Sequence, residues 1–176
     1  MSSGGAGTAG RSPDALIREL ITNPGQPATT EEIARILEHV ARAPFNMRSI
    51  DVPPVLVGRE FLRRRLGVRE DSLTVHVAQR VLRDKQWSDA TTKEEFLEDI
   101  RQAVLHPEAR LALYEARRTD YAAVVAPNTV PSERLGQASG RYVIVFYSAN
   151  RGRIISARQA RDESKFNVPE RARWLG

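Results

Sequence analysis

The sequence predicts an α+β fold: N-terminal helices followed by a four-stranded antiparallel sheet made of two hairpins. Three observations carry this. Apolar residues recur at helical spacing as far as His106-Pro107. Beyond Pro107 the pattern changes to short strand-like runs. Those runs form two pairs, one joined by R-R-T-D and the other by N-R-G. The division expected is a disordered leader at 1–11, a helical extension at 12–50, an α+β core domain at 51–165 and a tail at 166–176.

The elements follow in order. The start, M-S-S-G-G-A-G-T-A-G, is Gly/Ser-rich and reads as a flexible leader, not as a signal peptide. Ser12 and Pro13 supply a cap and a first-turn proline for a helix carrying Leu16, Ile17, Leu20 and Ile21. Asn23-Pro24-Gly25 stops it. Thr29 and Glu32 form a capping box ahead of Ile33, Ile36, Leu37 and Val40, and Pro44 ends that helix. The connector I-D-V-P-P-V-L-V-G is expected to be extended at its prolines. R-E-F-L-R-R-R-L then reads as a short basic helix closed by Gly67, its three arginines fanned over a solvated face.

Asp71 or Ser72 caps a longer helix running to about Trp87, with Leu73, Val77, Val81 and Leu82 inward. Thr91 and Glu94 fit a capping box for a helix presenting Phe96, Leu97, Ile100, Val104 and Leu105. The strands are R-L-A-L-Y-E-A, Y-A-A-V-V-A, R-Y-V-I-V-F-Y-S and G-R-I-I-S-A-R-Q. The last two long helices cover one sheet face, which leaves the other for solvent or a ligand.

Composition excludes several classes. The chain has no cysteine, so disulfides, a thiol nucleophile and thiolate zinc sites are ruled out. No apolar run is long enough to span a membrane, and a cytoplasmic location is expected. No phosphate-binding glycine loop and no G-x-S-x-G elbow is present. No cofactor and no metal site is expected. The formal net charge is +5, and residues 141–176, with eight Lys/Arg against three Asp/Glu, hold all of that excess. Localised positive charge attracts RNA, another polyanion or an acidic protein partner. Only three of the 27 basic residues are lysine, so part of the arginine content is compositional.

Candidate residues come from this pattern. His76 and Arg80 stand four apart on one helix, so they share a face able to hold a phosphate and move a proton. The same spacing suits a hydrogen-bonded histidine beside a solvated arginine. His106 ends a helix, where the dipole favours an imidazolium. His39 lies on the outer face of its helix and is assigned no role. In the last strand, alternation places Ile154, Ser156 and Arg158 on one face and Arg153, Ile155 and Ala157 on the other. In the strand before it, Tyr142, Ile144, Phe146 and Ser148 oppose Arg141, Val143, Val145 and Tyr147. Arginine and tyrosine around an apolar platform bind phosphates and stack bases. They also protect a sheet rim against aggregation.

R-Y-V-I-V-F-Y-S-A-N-R-G-R-I-I-S-A-R-Q-A-R-D-E, residues 141–163, resembles the C-terminal half of BrnT-type toxins, in the wider barnase-colicin-RelE-like ribonuclease toxin group. The order of helices, H-P-E and two hairpins is similar as well. Residues 1–70 lie outside the resemblance, and the tryptophan- and lysine-containing opening of those toxins has no counterpart. The resemblance implies a metal-independent endoribonuclease in which a ribose 2′-hydroxyl attacks the adjacent phosphorus. It carries over to Arg158, through I-S-A-R, and to Ser156. The roles expected are proton transfer by His76 or His106 and phosphate binding by Arg158 with Arg153 or Arg141. Arg80, Ser156 and Tyr147 line the substrate. The alternative is a non-catalytic basic module binding nucleic acid or an acidic protein. In a third reading the arginines are compositional, and neither salt nor RNA has an effect.

Overall fold

The computed structural model describes residues 11–45 and 72–175. The expected leader at 1–11, apart from Arg11, the proline connector, the basic helix at 59–66 and a cap at Asp71 lie outside the described residues.

Helix α1 (Pro13–Thr22) starts where Ser12 Oγ accepts the Ala15 N–H at 3.1 Å, with proline in the first turn. Helix α2 (Thr30–Arg42) has the full capping box: Thr29 Oγ1 accepts from Glu32 N, and Glu32 Oε1 accepts from Thr29 N. Helix α3 (Ser72–Ala78) does not run on to Trp87. At Gln79–Arg83 it widens into a π-turn, closed by Asp84 N–H donating to Gln79 O at 2.9 Å. Helix α4 (Lys93–Val104) also has a capping box, but one residue later than the spacing suggests, at Thr92 and Glu95. T-T-K-E-E offers either register. Thr91 is wholly buried and its N–H closes a turn on Ser88 O, so Thr92 caps.

Strands β1 (Arg110–Ala116), β2 (Thr119–Pro127), β3 (Tyr142–Ser148) and β4 (Arg153–Ala160) form an antiparallel meander. The sheet nevertheless has five strands, in the order β4-β3-β2-β1-β5, which corrects the expectation of a four-stranded sheet of two hairpins. Strand β5 (Arg173–Leu175) pairs with the outer edge of β1, Ala112 opposite Trp174. Three residues are too few to show a period-two signal, so β5 was hidden in a polar tail.

Chain geometry explains the rest. β4 and β5 occupy opposite edges, so residues 161–172 must cross the sheet. They do so over the face expected to be free. Phe166 packs on Val125, Ile144 and Ala160 and meets the Tyr142 ring edge-on at 5.2 Å. Further along, Ala172 packs beside Ala112 and Tyr114.

The opposite face carries the main core. Leu16, Ile17 and Leu20 of α1, Ile36 and Val40 of α2, Val77 of α3, and Phe96, Ile100 and Val104 of α4 pack there. They meet Leu111, Leu113, Val124, Val143, Val145 and Ile154, each almost wholly buried. Among the described residues, no helix is long and apolar enough to cross a membrane.

A β-bulge alters the alternation in β4. Phe146 pairs with Ser156 but Tyr147 pairs with Ile154, so Ile155 is the extra residue. Cross-strand partners share a face. Ser156 and Arg158 therefore stay with Phe146 and Ile144 on the crossed face, while Ile154 joins Ala157 in the main core. A strict period of two had grouped Ile154 with Ser156 and Arg158.

Candidate nucleic-acid interface

The edge of β4 collects four of the eight residues the sequence nominated. Arg80 reaches it from the π-turn. Its Nε donates to Ala157 O at 2.7 Å, Nη1 to Asp84 at 2.8 Å, and Nη2 to Ser156 Oγ at 3.3 Å. Arg158 follows Ser156 by two residues on the same face. Its Nη2 donates to Phe166 O at 2.6 Å, and its guanidinium lies 5.8 Å from the centre of the Phe146 ring. His76 precedes Arg80 by about one helical turn. Its ring packs against Phe45 at 5.0 Å, and the Phe45 backbone bridges Ile154 of β4.

Electrostatics set these arginines apart. Burial lowers the Arg80 pKa, an effect Asp84 opposes. Burial first, and Arg80 second, lower that of Arg158. Burial disfavours the ionised Asp84, yet Arg83 and Arg80 together hold it below the usual carboxylate range.

The other nominated residues stand apart. His106 sits in the α4–β1 turn, its Nδ1 accepting the Glu108 N–H at 3.0 Å, and β2 and β3 separate β1 from β4. Arg141 precedes β3 at the open end of the β3–β4 hairpin, where it lowers the pKa of Asp162, though less than the Ser164 hydrogen bond does. Arg153 pairs with Ser148 at the turn end. The seven residues of β3 separate these two by roughly 20 Å at about 3.3 Å per residue, so Arg141 and Arg153 do not hold one phosphate.

Tyr147 is fully buried on the helix-covered face. Its hydroxyl donates to Asp14 Oδ1 at 2.6 Å and therefore accepts from His39 Nε2 at 2.8 Å. Burial, then the Asp14 bond, push the phenol well above its ordinary pKa. Asp14, His39 and Tyr147 thus tie α1 and α2 to β3. Sequence reasoning passed over His39 because its partners lie on other elements.

The sequence also underused the R-R-T-D turn. Ala116 pairs with Thr119, so Arg117 and Arg118 form a two-residue hairpin loop. Both have left-handed backbones, φ 50° and 64°, in a turn type that favours Asn-Gly. Two arginines there cost on the order of 1–2 kcal/mol each. The missing asparagine and glycine were the available signal.

This turn lies beside the β3–β4 turn. Asp120 N donates to Asn150 Oδ1 at 2.7 Å, and Ala149 N donates to Asp120 O at 2.9 Å. The two turns therefore bring Arg117, Arg118, Arg151 and Arg153 to one end of the sheet. Among the described residues, none of the four has a carboxylate within ion-pair distance.

Part-exposed aromatic rings border the same corner. Tyr121, opposite Ser148 and hence in the row of Arg153, stacks on Tyr114 at 5.4 Å with 27° between planes. Phe146 lies one row further in, opposite Ala123. Among the described residues, no group of three or more His, Asp or Glu is placed to hold a metal ion. No family model, curated protein or solved structure matches this chain.

Proposed function

We propose that this protein binds single-stranded RNA at the hairpin-turn end of its sheet. The observation that supports the reading is the set of four guanidinium groups without ion pairs among the described residues, two of them on a strained turn. Backbone strain kept in place by arginine points to a use for arginine there. Phosphates lie along Arg117, Arg118, Arg151 and Arg153, and bases stack on Tyr121 and Phe146.

Fluorescence anisotropy with a labelled single-stranded RNA tests it. Four phosphate contacts give a log–log salt slope of about −3, and each Arg→Ala change at these positions lowers its magnitude by about 0.7. Tyr121→Leu weakens binding at constant salt by about 1–3 kcal/mol. A slope unchanged in Arg153→Ala and Arg118→Ala removes the reading. Binding of an acidic peptide in preference to RNA transfers the surface to a protein partner.

Metal-independent cleavage of the toxin-ribonuclease type is a second reading, favoured by the position of His76 near the β4 edge. In it the imidazole takes the 2′-hydroxyl proton as that oxygen attacks phosphorus, Arg158 neutralises the phosphorane, and the P–O5′ bond breaks as the leaving oxygen takes a proton from the imidazolium or from water. RNA incubated with the protein in EDTA is then cut, and His76→Ala stops the cutting. Intact RNA with the wild-type chain leaves binding alone.

A further inference from the structure

We propose that Arg80, Ser156 and Arg158 form a site for a phosphate monoester dianion. Its assignment to the terminal phosphate of a bound RNA rests on the reading above, whereas the site rests on other residues. Charge balance is the first argument. Arg80, Arg83 and Arg158 gather around a single carboxylate, Asp84, which pairs with Arg80 at 2.8 Å and Arg83 at 2.8 Å. Arg158 has no ion pair among the described residues; its Nη2 donates to the Phe166 carbonyl. Two positive charges are thus left over; exposed Arg83 holds one of them in water, and Arg158 carries the other. Arg80 is only 6% exposed and Arg158 is half-buried. Guanidinium groups removed from water call for a counter-charge.

Donor geometry is the second argument. Ser156 Oγ accepts a hydrogen from Arg80, which leaves its own O–H to be donated. Arg158 spends one Nη2 bond on Phe166 O and keeps further N–H groups in a planar fork suited to phosphate oxygens. A monoester supplies three acceptor oxygens and close to two negative charges at pH 7, whereas a diester supplies one. The free O–H of Ser156 and the remaining N–H groups of Arg158 match the three oxygens of the monoester.

The π-turn is the third. Widening at Gln79–Arg83 is what carries the Arg80 guanidinium over the β4 edge to Ala157 O and Ser156. Such turns occur often at functional sites.

The experiment uses the full chain and three RNA oligomers of one sequence, with hydroxyl ends, a 5′-phosphate or a 3′-phosphate. The expected result is about tenfold tighter binding of one phosphorylated form, with the difference abolished in Arg158→Ala and reduced in Ser156→Ala. Thermal shift with inorganic phosphate against chloride at matched ionic strength gives a readout without RNA. Phosphate raises the melting temperature of the wild type and not that of Arg158→Ala. Arg158→Gln covers the case in which the alanine variant fails to fold.

Equal affinity for the three oligomers, together with a phosphate effect that survives in Arg158→Ala and Arg158→Gln, overturns the inference. The RNA reading then still stands if Arg153→Ala lowers the salt slope. Absence of RNA binding with an Arg158-dependent phosphate effect does the reverse, and leaves a site for a free phosphate monoester.

Discussion

Gln86 pairs with the backbone of Gln159 as a neighbouring strand would. Its Nε2 donates to Gln159 O at 3.0 Å, and its Oε1 accepts from Gln159 N at 2.8 Å. Gln159 in turn donates from Nε2 to Gln86 O at 2.9 Å. Pro44 O accepts from Ile154 N at 3.0 Å, and Arg80 satisfies Ala157 O. The outer edge of β4 is therefore capped at Ile154, Ala157 and Gln159, which hinders it from templating another chain.

Removing that cap has a defined cost. Gln86→Ala leaves a buried N–H and C=O of Gln159 without partners, at about 1–3 kcal/mol each. Urea denaturation is expected to show a loss of about 2–4 kcal/mol, and concentrated samples to self-associate. Wild-type stability in this variant would mean that the edge is held by other groups.

Replacing Arg117-Arg118 with Asn-Gly separates stability from function. The new turn suits the left-handed backbone, so unfolding free energy rises by about 1–2 kcal/mol. The salt slope for RNA falls in magnitude by about 1.4, two phosphate contacts being lost. A variant that gains stability and keeps the full slope removes these arginines from the interface.

High pH reads the buried phenols. Tyr114 is pushed up to about 12 by burial first and by Tyr121 second, with Arg171 opposing. Tyr147 moves in the same direction. The folded state keeps these protons after the unfolded chain, with tyrosine near 10, has lost them. Stability is thus complete below pH 10 and falls as pH rises towards 12, by about 1.4 kcal/mol per pH unit for each retained proton. Denaturation between pH 9 and 12 is expected to show this slope, and Tyr114→Phe to reduce it. An unchanged slope in that variant would contradict the assignment.

Arg134 holds a buried acid. Its Nη2 donates to Asp99 Oδ1 at 2.6 Å and its Nε to Oδ2 at 3.0 Å, while Trp87 Nε1 donates to the same Oδ2 at 3.1 Å. Asp99 is 5% exposed. Arg134→Met strands that carboxylate, at about 3–5 kcal/mol. The double variant Arg134→Met, Asp99→Asn recovers part of the loss. Tryptophan fluorescence in urea follows both, Trp87 being fully buried and Trp174 part-exposed.

The parts legible in the sequence were those that depend on near neighbours. Ser12, Thr29 and the apolar spacing of Ile36 and Val40 act within a few residues, so α1 and α2 were placed well. The pairings of β1 with β2 and of β3 with β4 followed from their turns, whereas the five-stranded sheet they belong to did not. At the candidate interface, His76, Arg80, Ser156 and Arg158 do gather at one edge, whereas His106, Arg141 and Tyr147 lie elsewhere. Linear spacing orders residues along an element and says nothing of which edge the next element meets.

By itself, then, the sequence determined helices before strands, the caps of α1 and α2, the apolar faces and the concentration of arginine towards the end of the chain. Tertiary structure decided that residues 161–172 cross the sheet and deliver β5 to the far edge, since only a strand already standing there offers the hydrogen bonds that fix Arg173–Leu175. It also decided that Ile155 bulges out, that Tyr147 is buried between Asp14 and His39, and that two arginine-bearing turns lie side by side. Each of these depends on partners more than a hundred residues away or on neighbouring strands, where burial and hydrogen-bond completion outweigh local preference.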